Sequence, residues 1–203
     1  MKVILASQSP RRQELLKMMG VEFEALSSDF DEYFDDARTP EQVVKELGLG
    51  KARAVAEQHP DAIVIGSDLM VVLDGYQLGK PETEAEAIQM LKNFSNRTHE
   101  IITSVAVICK ARGYEKVLTE SSYVAFNELP ESTILEYVAT GNPYDKGGAY
   151  AIQNPLIKPH VSIKGRIDTV LGLPTNLVAT LLKDFSIEAF SLTEKELNSI
   201  SLL

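Results

Sequence analysis

Two long β-type segments, THEIITSVAVICKA and YEKVLTESSYVAFNEL, stand in tandem with only a short break near Arg112-Gly113 between them. A connection that short cannot make a crossover, so the two must pair antiparallel as one long ribbon. A two-stranded ribbon is marginal in water and needs further layers to bury its apolar face. The flanking sequence supplies them in alternation. KVILA and VEFEAL read as strands around a SPRRQELLKMM helix, and SSDFDEYFDDART as an acidic surface loop. A long helix from Pro40 carries Val43, Val44, Leu47, Ala52 and Val55 at helical spacing. Gly48 and Gly50 are expected to weaken it by up to ~1 kcal/mol each relative to Ala. AIVIGSD reads as an apolar strand stopping at Asp68, and MVVLDGYQLGKP as two strands about an Asp74-Gly75 hairpin turn. Thr83 to Asn93 is a helix with a Thr83/Glu86 capping-box pattern. Beyond the ribbon come a short helix from Glu131 to Thr140 and a Gly-rich loop running into a strand that ends at Gln153. VSIKGRID reads as a strand, PTNLVATLLKDF as a helix, and residues 185–203 as a weakly packed helical tail. The expected fold class is α/β, a central mixed twisted sheet flanked by helices, with no linker dividing residues 1–203.

Charge narrows the function. The chain carries a net charge of −9, which disfavours duplex nucleic acid and anionic membrane as partners. Local basic clusters therefore stand out. No stretch approaches a membrane span or a signal peptide, and a cytoplasmic protein is the expectation. The single cysteine, Cys109, excludes an internal disulfide and a Cys-based zinc cluster.

The helix that begins at Ser9-Pro10 is charged at the wrong end. Ser suits the N-cap and Pro the first position. Yet Arg11 and Arg12 occupy the first turn, where the partial positive charge of the helix favours acids. A bound anion resolves the conflict: free backbone N–H groups, the Ser7 and Ser9 hydroxyls and two guanidinium forks would converge on a phosphate. The alternative is two arginines bending into water. Asp68 ends an apolar run, and Lys80 in LGKP and Lys51 in GLGKARA are cations that point toward it if the helix and hairpin pack together. Asp145 and Lys146 lead into Gly147-Gly148, which permits close approach of backbone to a ligand. Gln153 offers an amide that both donates and accepts, as a base edge requires. Taken singly, Lys51 and Lys80 read equally well as solvated lysines, and Asp68 as a turn residue. There is no GxSxG, no GxxxxGK[ST] and no HExxH, so covalent serine chemistry and zinc hydrolysis lack support.

Taken together, SxSPRRxELL, the Lys-Ala pair after a Leu-rich helix, GSD…LGKP, RTHEIIT, DKGGAYAIQ and GLP occur in the order in which they stand in the Maf proteins. The resemblance spans about residues 2 to 184. It implies a nucleoside triphosphate pyrophosphatase that cleaves the α–β phosphoanhydride with Mg²⁺ or Mn²⁺, on a two-lobed fold with a cleft, similar to inosine triphosphatase. It implies Asp68 as proton acceptor or metal ligand, and Glu32 as an acid near the metal. Arg11 and Arg12 fall on the residues that hold the triphosphate and set substrate choice. Ser7, Lys51 and Lys80 fall on groups around the phosphates, and Gln153 on the reader of the base. A homodimer is a further family expectation. Leu69 departs from the family, which has Thr in the dTTP/UTP branch and Gln in the 7-methyl-GTP branch, whereas Gln153 follows the pyrimidine branch. NPLIKPH replaces a glycine-rich segment, and Arg166 stands where a Gly-Asp/Ser-Tyr pattern is usual. The expected substrates are dTTP, UTP or modified pyrimidine triphosphates. The alternatives are the same reaction on a purine, and a non-catalytic nucleotide-binding regulator of cell division.

Overall fold

A computed structural model of the chain describes residues 1–30 and 38–197. Glu32 lies outside the described residues, as do residues 198–203 of the tail. The strands are β1 (Val3–Leu5), β2 (Glu24–Ala25), β3 (Ile63–Leu73), β4 (Tyr76–Leu78), β5 (Thr98–Cys109), β6 (Tyr114–Phe126) and β7 (Val161–Lys164). They form one sheet in the order β2-β1-β3-β5-β6-β7, with β4 also on β3. β1 pairs parallel with β2 and β3, and the remaining pairs are antiparallel, so the sheet is mixed as expected. The tandem segments form the predicted ribbon, paired from Thr98↔Ala125 to Cys109↔Tyr114.

Helices cover both faces. α2 (Pro40–Gln58) lies on one face, where Val44, Leu47, Ala52 and Ala56 meet Val64, Met70, Ala106 and Ile102. α1 (Pro10–Met18), α3 (Glu84–Phe94), α4 (Glu131–Ala139), α5 (Ile167–Leu171) and α6 (Thr175–Leu182) bury the other face in the main core. No helix among the described residues is long and apolar enough to cross a membrane.

Four expectations are corrected. β3 does not stop at Asp68 but runs through it to Leu73, because Ser104 satisfies the polar residues of the GSD stretch. Residues 150–153 form no strand; the chain turns there, with the Tyr137 hydroxyl accepting from the Ala151 N–H. Within the tail, Leu192 and Leu197 are buried and α7 (Glu194–Leu197) packs down, so its described part is not loose. The Ser9 hydroxyl makes no capping hydrogen bond to α1; instead its backbone N–H donates to the Ser7 hydroxyl.

Gly48 and Gly50 do not merely weaken α2; they bring it close. A Cβ on Gly66 would run into the Gly48 carbonyl oxygen and sit 2.8 Å from the Ala52 Cβ and amide nitrogen. A Cβ on Gly48 would collide with the Ser104 hydroxyl. Helix backbone and strand backbone thus touch with no side chain between them, which sets Lys51 directly over β3. Gly66→Ala should therefore destabilise the fold by about 1–3 kcal/mol through overpacking, read as a lower urea midpoint with unchanged m-value.

Candidate active site

The register of the sheet leaves a gap on one side of β3. β1 accompanies β3 only as far as Leu5↔Ile65, and β4 joins it only from Val71↔Leu78. Between these points residues 67–70 of β3 face the C-terminal end of β1 and the first turn of α1. Crevices at the carboxyl ends of parallel strands are the usual ligand sites of such sheets. A cleft of about 660 Å³ opens there, lined on one wall by Ser9, Arg11 and Arg12 and on the floor by Asp68 to Val71.

Asp68 and Lys51 form an ion pair at the bottom of the cleft, both buried. Alternation along β3 turns Asp68 toward α2, and the close approach of α2 brings Lys51 to meet it. The Asp68 backbone N–H donates to the Ser104 hydroxyl at 3.3 Å, and that hydroxyl donates to the Val44 carbonyl at 2.7 Å. Ser104 therefore ties the strand that carries Asp68 to the helix that carries Lys51. The neighbouring Ser67 hydroxyl, fully buried, lies 2.7 Å from the Ser104 carbonyl and 2.8 Å from the Gly172 carbonyl.

The same Gly172 carbonyl accepts the Arg12 Nε–H at 2.9 Å, and Arg12 Nη1 reaches the Ser7 hydroxyl at 3.3 Å. Arg12 is thus seated from two sides. Ser7 is buried behind it and does not line the cleft itself. Arg11 lines the wall; burial lowers its pKa, opposed by Asp145 and the Tyr137 ring. A guanidinium stays charged regardless. Lys80, Glu82, Asp145 and Lys146 also line the cleft. Lys146 donates to the Asn142 carbonyl at 2.8 Å and to Asp145 at 2.5 Å. Burial works to raise the Asp145 carboxyl, but Lys146 and Arg11 outweigh it and hold it below the usual range. Leu69 and Gln153 also line the cleft, and the Gln153 Oε1 is buried without a hydrogen-bond partner. Arg11, Arg12, Lys51, Lys80, Asp68, Leu69, Asp145, Lys146 and Gln153 therefore converge on one space, in which five cations face the acids Asp68, Glu82 and Asp145.

One supporting group escapes sequence reading. Asp168, fully buried, accepts from Arg166 Nε at 3.0 Å and Nη2 at 2.7 Å, from the Thr175 N–H at 2.9 Å and its hydroxyl at 2.6 Å, and from the Thr169 N–H at 3.1 Å. This hub fixes the turn that presents the Gly172 carbonyl to Arg12. Arg166 Nη2 also donates to the Leu192 carbonyl at 3.0 Å, so the departure noted at Arg166 pins the C-terminal segment.

Fold and site together define an α/β protein with a cation-lined cleft around a buried acid, at the point where a parallel strand ends. The comparisons with known proteins narrow this class. The model of the Maf-like protein family matches residues 2–185, and the chain belongs to that family. A dTTP/UTP pyrophosphatase of Syntrophus aciditrophicus is 42% identical over 190 residues, covering 94% of this chain and 93% of the relative. A dTTP/UTP pyrophosphatase of Bacillus cereus is 44% identical over 191 residues, covering 92% and 97%. The solved structure of the Staphylococcus aureus Ham1 protein covers 91% of this chain and 100% of its own, with a TM-score of 0.49 and 16% identity.

Tyr150, which lines the cleft, is held from behind by His99 at 2.6 Å, within a cluster that includes Phe94 and Phe126. Burial pushes the His99 pKa down to about 4. The unfolded chain, with His near 6.5, then binds more protons than the folded one between about pH 4 and 6.5. Stability should be fully present above about pH 6.5 and fall by about 3 kcal/mol as the pH drops to about 4. Urea midpoints across that range check it, and His99→Phe should remove this part of the slope.

Proposed function

We propose that the chain is a nucleoside triphosphate pyrophosphatase with dTTP and UTP as its preferred class. The observation that carries the reading is the buried Lys51–Asp68 pair at the floor of a cleft that also gathers Arg11, Arg12, Lys80 and Lys146, in a chain of net charge −9. The relatives named dTTP/UTP pyrophosphatase support the choice of reaction and base. A triphosphate brings about four negative charges, and Arg and Lys clusters are what bind such groups in a chain otherwise repelling them.

In this reading the triphosphate lies between the first turn of α1 and Lys80. Arg12, already seated on the Gly172 carbonyl and the Ser7 hydroxyl, meets phosphate oxygens with a guanidinium ordered in advance, at little entropic cost. Arg11, Lys80 and Lys146 add charge. Lys51 exchanges part of its contact with Asp68 for a phosphate oxygen. That exchange releases the carboxylate to accept a proton from water as the water oxygen bonds to the α-phosphorus. The bond from the α-phosphorus to the bridging oxygen breaks, and pyrophosphate leaves with that oxygen. The products are a nucleoside monophosphate and pyrophosphate, and positioning with charge stabilisation carries most of the rate. Gln153, which lines the cleft, meets the base with its side-chain amide, a group that both donates and accepts. Leu69 gives the base an apolar contact.

No group of three or more His, Cys, Asp or Glu able to hold a metal occurs among the described residues. Mg²⁺ needs only one or two carboxylates when phosphate oxygens complete its shell, so the buried Asp68 carboxylate in the cleft fits such an ion, while Glu32 lies outside the described residues. Bound there, it would neutralise developing charge on the phosphates.

Release of pyrophosphate and monophosphate from UTP and dTTP, in Mg²⁺ and in Mn²⁺, tests the reading. Asp68→Asn should lower kcat by about 10²–10⁴ with a much smaller change in KM. Turnover by the folded variant at the wild-type rate would remove Asp68 from the chemistry; no turnover by wild type on any triphosphate would overturn the enzyme.

A further inference from the structure

The segment beyond residue 185 lies outside the family match, yet it is built into the fold. Leu192 and Leu197 are buried in the main core. Between them Thr193 opens α7, its hydroxyl and backbone N–H meeting the Glu196 carboxylate at 2.7 and 2.8 Å. Contacts from this segment lead back to both supports of Arg12. The Phe190 N–H donates to the Met19 carbonyl at 3.2 Å, at the C-terminal end of the helix whose first turn holds Arg11 and Arg12. The Leu192 N–H donates to the Thr175 hydroxyl at 3.0 Å, and the Leu192 carbonyl accepts from Arg166 Nη2 at 3.0 Å. Residues 190–192 therefore bridge α1 to the Asp168 hub.

The shape of the hub bears directly on Arg12. The Asp168 carboxylate accepts from the Thr169 N–H and the Thr175 N–H, which stand on the two sides of a turn with Gly172 between them. Inside that turn the Leu173 N–H donates to the Asp168 carbonyl at 3.0 Å, and the Gly172 N–H to the Thr169 carbonyl at 3.1 Å. Gly172 has a φ of 94°, and a Cβ there would stand 3.3 Å from the Arg12 Nε. The guanidinium thus lies against the turn itself, and its direction follows from where the hub holds the Gly172 carbonyl. Arg166 grips Asp168 with Nε and Nη2 and is itself no part of the cleft lining. Its hold reaches a ligand through Arg12.

We propose that residues 190–192 are a strap that fixes the seat of Arg12, with Arg166 as the positioning residue that transmits its hold. Triphosphate binding then depends on a segment that never touches the ligand. This rests on the reading of the cleft as a triphosphate site given above. A guanidinium directed before the ligand arrives loses less rotamer freedom on binding than one that must be ordered then. Loosening the strap frees the turn, the Gly172 carbonyl moves, and that advantage is lost.

The test measures calorimetric binding of the non-cleavable α,β-methylene analogue of UTP, beside turnover of UTP itself. Arg166→Gln should weaken analogue binding by about tenfold. In an Arg12→Gln background, with no guanidinium left to direct, the same substitution should change binding by less than about twofold. A general loss of packing would not produce that non-additivity. Arg166→Lys keeps the charge but not the two-pronged grip, so it should weaken binding nearly as much as Arg166→Gln. Equal losses with and without Arg12, or full binding by Arg166→Lys, would overturn the strap and leave the pyrophosphatase standing. Should the Arg166 variants not fold, wild type decides. By reciprocal linkage the analogue should slow amide exchange at Phe190 and Leu192 by about tenfold, and unchanged exchange there would overturn the strap. Wild type that neither binds the analogue nor turns over UTP would overturn the pyrophosphatase reading, and the strap with it.

Discussion

The whole site hangs on one close approach. α2 meets β3 backbone to backbone through Gly48 and Gly66, with no side chain between them. Any Cβ at Gly66 would hold the helix off, and Lys51 would then lose its reach to Asp68. The cost is real, since glycine inside a helix forfeits up to ~1 kcal/mol against alanine. The fold recovers it in packing: Val44, Leu47, Ala52, Val55 and Ala56 are all buried against the strands on this face. A feature that reads as weakness along the helix is thus what sets the distance between the two charges.

From that contact a chain of buried hydroxyls carries order across the site. Ser104 joins the α2 carbonyl of Val44 to the Asp68 N–H, and Ser67 reaches both the Ser104 carbonyl and the Gly172 carbonyl. Gly172 in turn seats Arg12, and Asp168 holds the turn in which Gly172 sits. The acid at the floor and the guanidinium in the wall are therefore fixed relative to each other through neutral hydrogen bonds. Small hydroxyls suit this role: each fills little volume and can both donate and accept. Preorganised donors need no rearrangement when charge arrives, which is where such sites gain most.

How much of this was legible in the sequence varied with how local its cause is. The ribbon of β5 and β6 and the Asp74-Gly75 hairpin were readable because alternation and left-handed turn residues are local signals; Asp74 and Gly75 indeed have φ of 53° and 84°. The wrong-way charges at Arg11 and Arg12 singled out two residues that line the cleft, because charge at a helix start is a local signal. The passage of β3 through Asp68 was not readable, since Gly-Ser-Asp looks like a turn until Ser104 is seen pairing with it. The segment up to Gln153 looked like a strand because Tyr-Ala-Ile-Gln has strand composition; the Tyr137 hydroxyl, far off in sequence, takes its N–H instead. Asp168 and Arg166 lie two apart in a stretch with no periodicity, and α5 spans only Ile167–Leu171. Only tertiary burial reveals that pair as a hub.

The Lys51–Asp68 pair explains why an acidic protein can keep a cation at the bottom of a cleft. Two charges taken out of water lose solvation, and their mutual attraction, about 4 kcal/mol at an effective dielectric near 20, repays part of it. Removing the Lys51 cation leaves the Asp68 charge buried without it, a cost of about 3–5 kcal/mol that would oppose folding. Pairing therefore stabilises the empty cleft, while a polyanion that draws Lys51 away would leave the Asp68 carboxylate without that cation. On the pyrophosphatase reading, that carboxylate is the group that takes the proton of the attacking water. On that reading ligand binding and release of the carboxylate are one event, and the close approach of the Gly48 and Gly66 backbones that holds Lys51 on Asp68 is what couples them.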